Sequence, residues 1–138
     1  MPKYLPHGTT VTIASITIGG LVSVGIPDRS RGEAETTDTD SGGDREYIPA
    51  LREGGSVELT FRHIPTDVGQ VKLETNFNAA GLAAVEEVII TLPDSGGRTY
   101  TFDGFVTAAP SGELALADDE AAQQSATIKV ASAVTIVA

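Results

Sequence analysis

The chain contains no cysteine and no tryptophan. Without thiols there are no disulfides, thiolate metal ligands or cysteine nucleophiles, so stability rests on packing and the chain suits a reducing compartment. Aromatic residues make up only 5%, with 3 tyrosines, which argues against a carbohydrate-binding module, since sugar platforms are built from exposed aromatic rings. Cations are also scarce: 9 Lys and Arg stand against 19 Asp and Glu, a net charge of −10. That is the wrong sign for a nucleic-acid binder, because phosphate contact needs clustered cations. No apolar run approaches the roughly 18 residues of a membrane helix. The N-terminal MPKYLPHGTT has one lysine, two prolines and no apolar stretch, so it does not read as a secretory signal. The expectation is a soluble protein with no membrane partner.

Catalytic signatures are missing too. There is no GxSxG elbow, no P-loop and no GxGxxG fingerprint. His7 lies in the N-terminal arm without an identifiable partner, and His63 continues the inward phase of a strand, where an ordinary strand-end residue is the expected role. Glu86 and Glu87 are adjacent, and neighbours on a strand point to opposite faces, so they do not form a carboxylate pair around one substrate. The string DTDSGGD offers oxygen ligands at alternate positions, as a calcium loop does. Counting from Asp38, however, Gly42 falls at the fifth position and Pro49 at the twelfth, where a bidentate Glu belongs. No catalytic residue, no metal and no cofactor is expected, and the chain does not read as an enzyme.

What is present is β periodicity. At 138 residues the chain has the length of a single domain, 1–138. TTVTIASITIGGLVSVGIP alternates β-branched and polar residues and predicts a hairpin, with Gly19-Gly20 as a turn or bulge. SVELTFRHI places Val57, Leu59, Phe61 and His63 on one face and Ser56, Glu58, Thr60 and Arg62 on the other. EEVIITL, RTYTFDGFV and SATIKVASAVTIV predict three more strands, with LPDSGG as a hairpin turn between the first two. The one helix candidate is PTDVGQVKLETNFNAAG, with Thr66 or Asp67 as cap, Asp67 and Gln70 in a capping box, and Gly81 as its stop. Together these predict a mainly β protein, a compact β-sandwich or barrel with one short helix.

Residues 27–55 fit that plan least well. Such a span far exceeds the usual connection of about 4–6 residues. GEAETTDT within it reads as an edge strand. Residues 28–46 carry seven acids against Arg29, Arg31 and Arg45, and residues 113–120 carry four acids and no base. Yet DREYIPALREGG sets Tyr47, Ile48 and Leu51 among charges and ends on two glycines. Three large apolar groups argue against a disordered linker.

In order and spacing, the segments TIGGLVSVGIPDRSRGEAETTDTDSGGDREYIPALREGGSVELTFRH, the helix with its DVGQ start, IITLPDSGGRTYTFDGFV and the closing SATIKVASAVTIV resemble the major tail tube proteins of long-tailed, siphovirus-type bacteriophages. The resemblance spans nearly the whole chain. It implies a tail tube fold with a long extended loop, and a structural virion protein whose homohexameric rings stack on a tape-measure protein into a tube through which DNA leaves. It also implies tail terminator and baseplate or tip proteins as partners, assembly in the host cytoplasm and a final place in the virion tail. On this view residues 27–55 form an inter-subunit loop that includes Arg29, Arg31, Asp38 and Asp40. Tyr47, Ile48 and Leu51 would anchor it, Pro49 would stiffen it, and Arg45, Glu46 and Arg52 would pair across subunits. Glu58, Glu86 and Glu87 are candidates for the lumen wall, with at most one of the adjacent pair facing inward. Tube subunits of contractile tails and of secretion systems share this fold class, and a capsid-decoration or other β-domain binding module is the alternative of another kind.

Overall fold

The computed structural model describes residues 8–40, 42–93, 97–114, 116 and 122–137. His7, the middle of the LPDSGG turn and most of the acidic run 113–120 lie outside the described residues. Ten strands are described: β1 (Thr10–Ile13), β2 (Ile16–Thr17), β3 (Leu21–Val24), β4 (Ser30–Glu35), β5 (Tyr47–Glu53), β6 (Ser56–Arg62), β7 (Glu86–Thr91), β8 (Thr99–Ser111), β9 (Gln123–Val130) and β10 (Thr135–Val137). One helix, α1 (Val68–Asn78), and a 3-10 turn, Gly81–Ala84, follow β6. The protein is mainly β, as the periodicity predicts.

Eight strands make one antiparallel sheet in the order β2-β1-β7-β8-β9-β6-β3, and β10 pairs with β8. The two ends of that order, β2 and β3, are separated by only Ile18, Gly19 and Gly20 in the chain. Four Cα steps reach at most about 14 Å, so the sheet must curl until its edges meet. Inside the curl lie the residues that the alternating pattern turns inward: Val11, Ile13, Val57, Leu59, Phe61, Val88, Ile90, Phe102 and Ile128 are each at most 2% exposed. Burying such a side chain is worth roughly 2 kcal/mol, and this core accounts for the phase of β1, β6, β7 and β9.

α1 covers the core through Leu73, and a buried polar clamp ties it to the place where the sheet edges meet. The Asp67 carboxylate accepts from Gly19 N–H at 3.0 Å and from Gln70 N–H at 3.0 Å. The Gln70 amide donates to the carbonyls of Gly19 at 2.9 Å and Arg62 at 2.8 Å, and accepts from Ile64 N–H at 2.9 Å. Asp67 is thus the cap that its spacing predicts, but the Gln70 side chain leaves the capping box and bonds the sheet instead. Gly69 permits this approach: a Cβ there would collide with the Thr17 carbonyl and the Ile18 Cα. At the far end, Asn76 (1% exposed) donates to Ala84 O at 2.7 Å and accepts from Val106 N–H at 2.9 Å, beyond the last β7–β8 pair, Glu86 with Gly104.

Four local expectations change. The hairpin turn is Ala14-Ser15, both in the left-handed region (φ 50 and 67), while Gly19-Gly20 carries the chain from β2 to β3. The helix ends at Asn78 with Ala79 as its cap, and Gly81 (φ 61) begins the 3-10 turn. SATIKVASAVTIV forms two strands, β9 and β10, broken where Ala131 N–H reaches Asp103 O and the Ser132 hydroxyl accepts from Asp103 N–H. His63 sits past the end of β6 and is exposed, so the inward phase stops at Phe61.

The clamp predicts that Gln70→Leu destabilises the fold by about 3 kcal/mol, because three hydrogen bonds are lost while a similar volume stays buried. Urea unfolding of both proteins should show this as a lower midpoint at unchanged slope. A change below 0.5 kcal/mol would mean that the sheet edges are held by packing alone.

Candidate assembly surfaces

The long segment is neither a loose loop nor part of the core. β4 and β5 pair with each other as a separate antiparallel ribbon, and every residue of both strands is exposed. Neither strand packs extensively on any other element. Register runs from Ser30 opposite Glu53 to Glu35 opposite Tyr47, and β5 holds one extra residue between Pro49 and Arg52. This bulge lets a proline sit in the ribbon, where a strand with one free edge loses no essential ladder bond. The far end is pinned by Thr36 N–H to Glu46 O at 2.8 Å and by Glu46 N–H to the Thr37 hydroxyl at 2.8 Å. Beyond it, Asp38 accepts from Asp40 N–H at 2.9 Å, an Asx turn that uses the carboxylate locally.

An isolated two-stranded ribbon is marginal in water, because it buries little on either face. This one also presents Tyr47, Ile48 and Leu51, of which Leu51 is 88% exposed. Exposed apolar side chains on an arm without a core make it a candidate contact surface.

At its base the arm returns to the barrel through Gly54 and Gly55. A Cβ on Gly54 would strike Val130, Gly55 has φ 72 beside the Asp28 carbonyl, and its own carbonyl accepts from Val130 N–H at 3.0 Å. Between the base and the β9–β10 break lies a groove of about 950 Å³. It is lined by Pro27, Arg29, Arg31, Leu51, Arg52 and Lys129, among others.

The proposed wall residues fall on different surfaces. Glu86 shares the inward phase of Val88 and Ile90 and turns toward α1, where it pairs with Lys72 Nζ at 2.9 Å and accepts from Asn76 at 3.3 Å. Glu87 and Glu58 are exposed on the opposite face of the sheet. Of the loop residues, Arg29, Arg31 and Arg52 gather at the arm's base, and Asp38, Asp40, Arg45 and Glu46 at its tip. Sequence reading missed the apolar outer face of α1, where Val68 is 65% and Val71 51% exposed. A helix whose apolar residues are not confined to one face carries that signal.

No family model matches the chain, and no curated protein matches it in sequence. Solved structures do match in fold. A chain of the anti-feeding prophage cap, which terminates that tube, aligns with TM-score 0.77 and 16% identity over 99% of this chain and 91% of that one. A chain of the sheath/tube terminator of an extracellular contractile injection system, PVC, aligns with TM-score 0.77 and 17% identity over 100% and 99%. A chain of the empty gene transfer agent tail, refined helically with C6 symmetry, aligns with TM-score 0.62 and 20% identity over 88% and 85%. The chain therefore has a tail-tube-like fold. The likeness extends across contractile systems and a gene transfer agent and does not single out the long non-contractile tails.

Because the three apolar anchors lie outside the core, replacing Tyr47, Ile48 and Leu51 together by Ala should leave the melting temperature within a few degrees of the parent. A loss of cooperative unfolding in calorimetry would instead make them part of the core.

Proposed function

We propose that the protein is a structural subunit of a tail tube, not an enzyme, and acts as one tail tube unit over residues 1–138. Six copies form a ring, rings stack around a tape-measure protein, and the resulting tube conducts DNA from a virion whose tail is assembled in the host cytoplasm. Terminator and baseplate proteins complete its ends. The observation that carries this reading is the exposed β4–β5 arm with its apolar anchors, projecting from a fold shared with chains of tubes and tube caps. The C6 symmetry of the gene transfer agent tail supports the ring number. In this reading residues 27–55 are the inter-subunit arm. A tube needs a heterologous contact that repeats along its axis, and an arm that leaves one body to cover another provides it. The runner-up is a capsid-decoration or other β-domain binding module, in which the arm would cover a different protein and the chain would not polymerise.

Concentrated protein, alone or with its tape-measure partner, should form rings and tubes visible by electron microscopy. The triple Ala variant should remain monomeric, since a large apolar anchor at an interface is worth about 2 kcal/mol or more. Monomers at every concentration in sedimentation, with and without the partner, would remove the tube reading.

The acidic balance has a role in the same reading. A conduit must not hold its cargo, and a cation on the wall would add sequence-independent affinity for phosphate at every ring. Glu58 and Glu87, exposed on the face away from the core, are the wall candidates, while Glu86 has a cation partner within the chain. Glu58→Lys with Glu87→Lys should leave tube length unchanged and slow DNA ejection from virions, most strongly at low salt. Unchanged ejection kinetics at low salt would exclude these two as wall residues.

A further inference from the structure

The groove at the arm's base concentrates charge against the character of the chain. Arg29, Arg31, Arg52 and Lys129 line it, four of only 9 Lys and Arg in a protein of net charge −10. Among the described residues Asp28 and Glu53 are its only carboxylates. Among the described residues none of the four cations forms an ion pair with a carboxylate. Moreover, Arg31 and Arg52 are direct cross-strand partners. Like charges placed opposite each other weaken a ribbon, and this ribbon has no core to compensate. A chain that needed the arm only as a spacer would gain by changing either residue.

The other end of the same ribbon has the opposite sign. Glu35, Asp38, Asp40, Asp44 and Glu46 surround the tip, with Arg45 as the one cation. Six strand residues at about 3.3 Å each separate tip from base by about 20 Å. A paired, extended ribbon therefore keeps its own tip from its own groove.

We propose that the groove is the receptor for the acidic arm tip of a second copy of this chain. The inference rests on the tube reading and adds the contact's address: Asp38, Asp40, Asp44 and Glu46 of one subunit seat against Arg29, Arg31, Arg52 and Lys129 of the next. Leu51 and Val130 supply the apolar floor. The contact is head-to-tail, with different surfaces on the two copies, so each bound copy presents a fresh groove and a fresh tip and the assembly stays open-ended. The acceptor is also part arm and part barrel, since the β9–β10 break forms one wall. Docking thus braces the base of the receiving arm. The opposed arginines, unfavourable in the free subunit, become favourable once carboxylates lie between them, which biases the arm toward assembly.

The test is charge reversal at exposed positions, which leaves the core intact. Arg31→Glu with Arg52→Glu gives a chain with an acidic groove and an acidic tip. Asp38→Lys with Asp40→Lys and Asp44→Lys gives a basic groove and a basic tip. Each should raise the concentration needed for tube formation at least tenfold, as should about 0.5 M salt for the parent. The chain carrying all five changes should assemble again, because every groove then meets a tip of opposite sign. The absence of cysteine allows a second readout: Asp40→Cys with Ser132→Cys should give disulfide-linked ladders of chains under oxidation and none in the dilute monomer. If the parent forms tubes and the reversals alter nothing, the groove proposal fails and the tube reading stands. If the parent never assembles, both fail. If groove reversal blocks assembly but tip reversal does not, while reversing the acids of 113–120 does, the occupant is that segment and the proposal is overturned.

Discussion

The fold depends on one polar clamp. An eight-stranded sheet whose end strands are joined by three residues has no choice but to curl, and something must hold the closing point, where strand pairing does not run edge to edge. Asp67 and Gln70 do this from the first turn of α1, binding both backbone polar groups of Gly19 and the end of β6 at Arg62 and Ile64. The cost of leaving such groups dry and unpaired is about 1–3 kcal/mol each, so the helix start and the closing point stabilise each other. Gly69 beside them shows how tight the fit is. Alanine there would improve helix propensity by about 1 kcal/mol, but its methyl group would occupy the space of the Thr17 carbonyl.

That closure leaves the barrel complete without β4 and β5. Every strand that contributes to the core is accounted for by the larger sheet, and the arm leaves it at Pro27 and returns at Gly55. The core that stabilises the fold is therefore built without the arm. The arm has little to hold it except its own ladder, and its side chains divide by charge along its length.

Much of this was legible in the chain because it is local. Period-two alternation gave the inward face of β6 as far as Phe61, since a side chain's face on a strand depends only on parity. Asp67 as the cap was legible from spacing. The Ala14-Ser15 turn was not, because a tight hairpin normally advertises itself with Asn or Gly, and this one uses two residues that tolerate a left-handed backbone poorly. Gly19-Gly20 was the stronger turn signal, and its actual work is to pass the chain across the closing point. The exposed end of His63 and the break between β9 and β10 were invisible for a related reason: parity says nothing about where a strand stops pairing.

By itself the sequence determined the class of structure and the kind of chemistry to rule out. Alternating β-branched residues require a sheet, and the lack of thiols excludes disulfides and leaves packing as the source of stability. It also marked residues 27–55 as out of place, because acids and large apolar groups in one long connection satisfy neither a core nor a solvated loop. Only the tertiary structure decided that this segment is a paired ribbon, that Glu86 turns to Lys72 while Glu87 turns away, and that cations from three separate stretches of the chain share one groove. These are facts of register and of closure. They depend on which strand lies beside which, and periodicity within a strand carries no information about its neighbour.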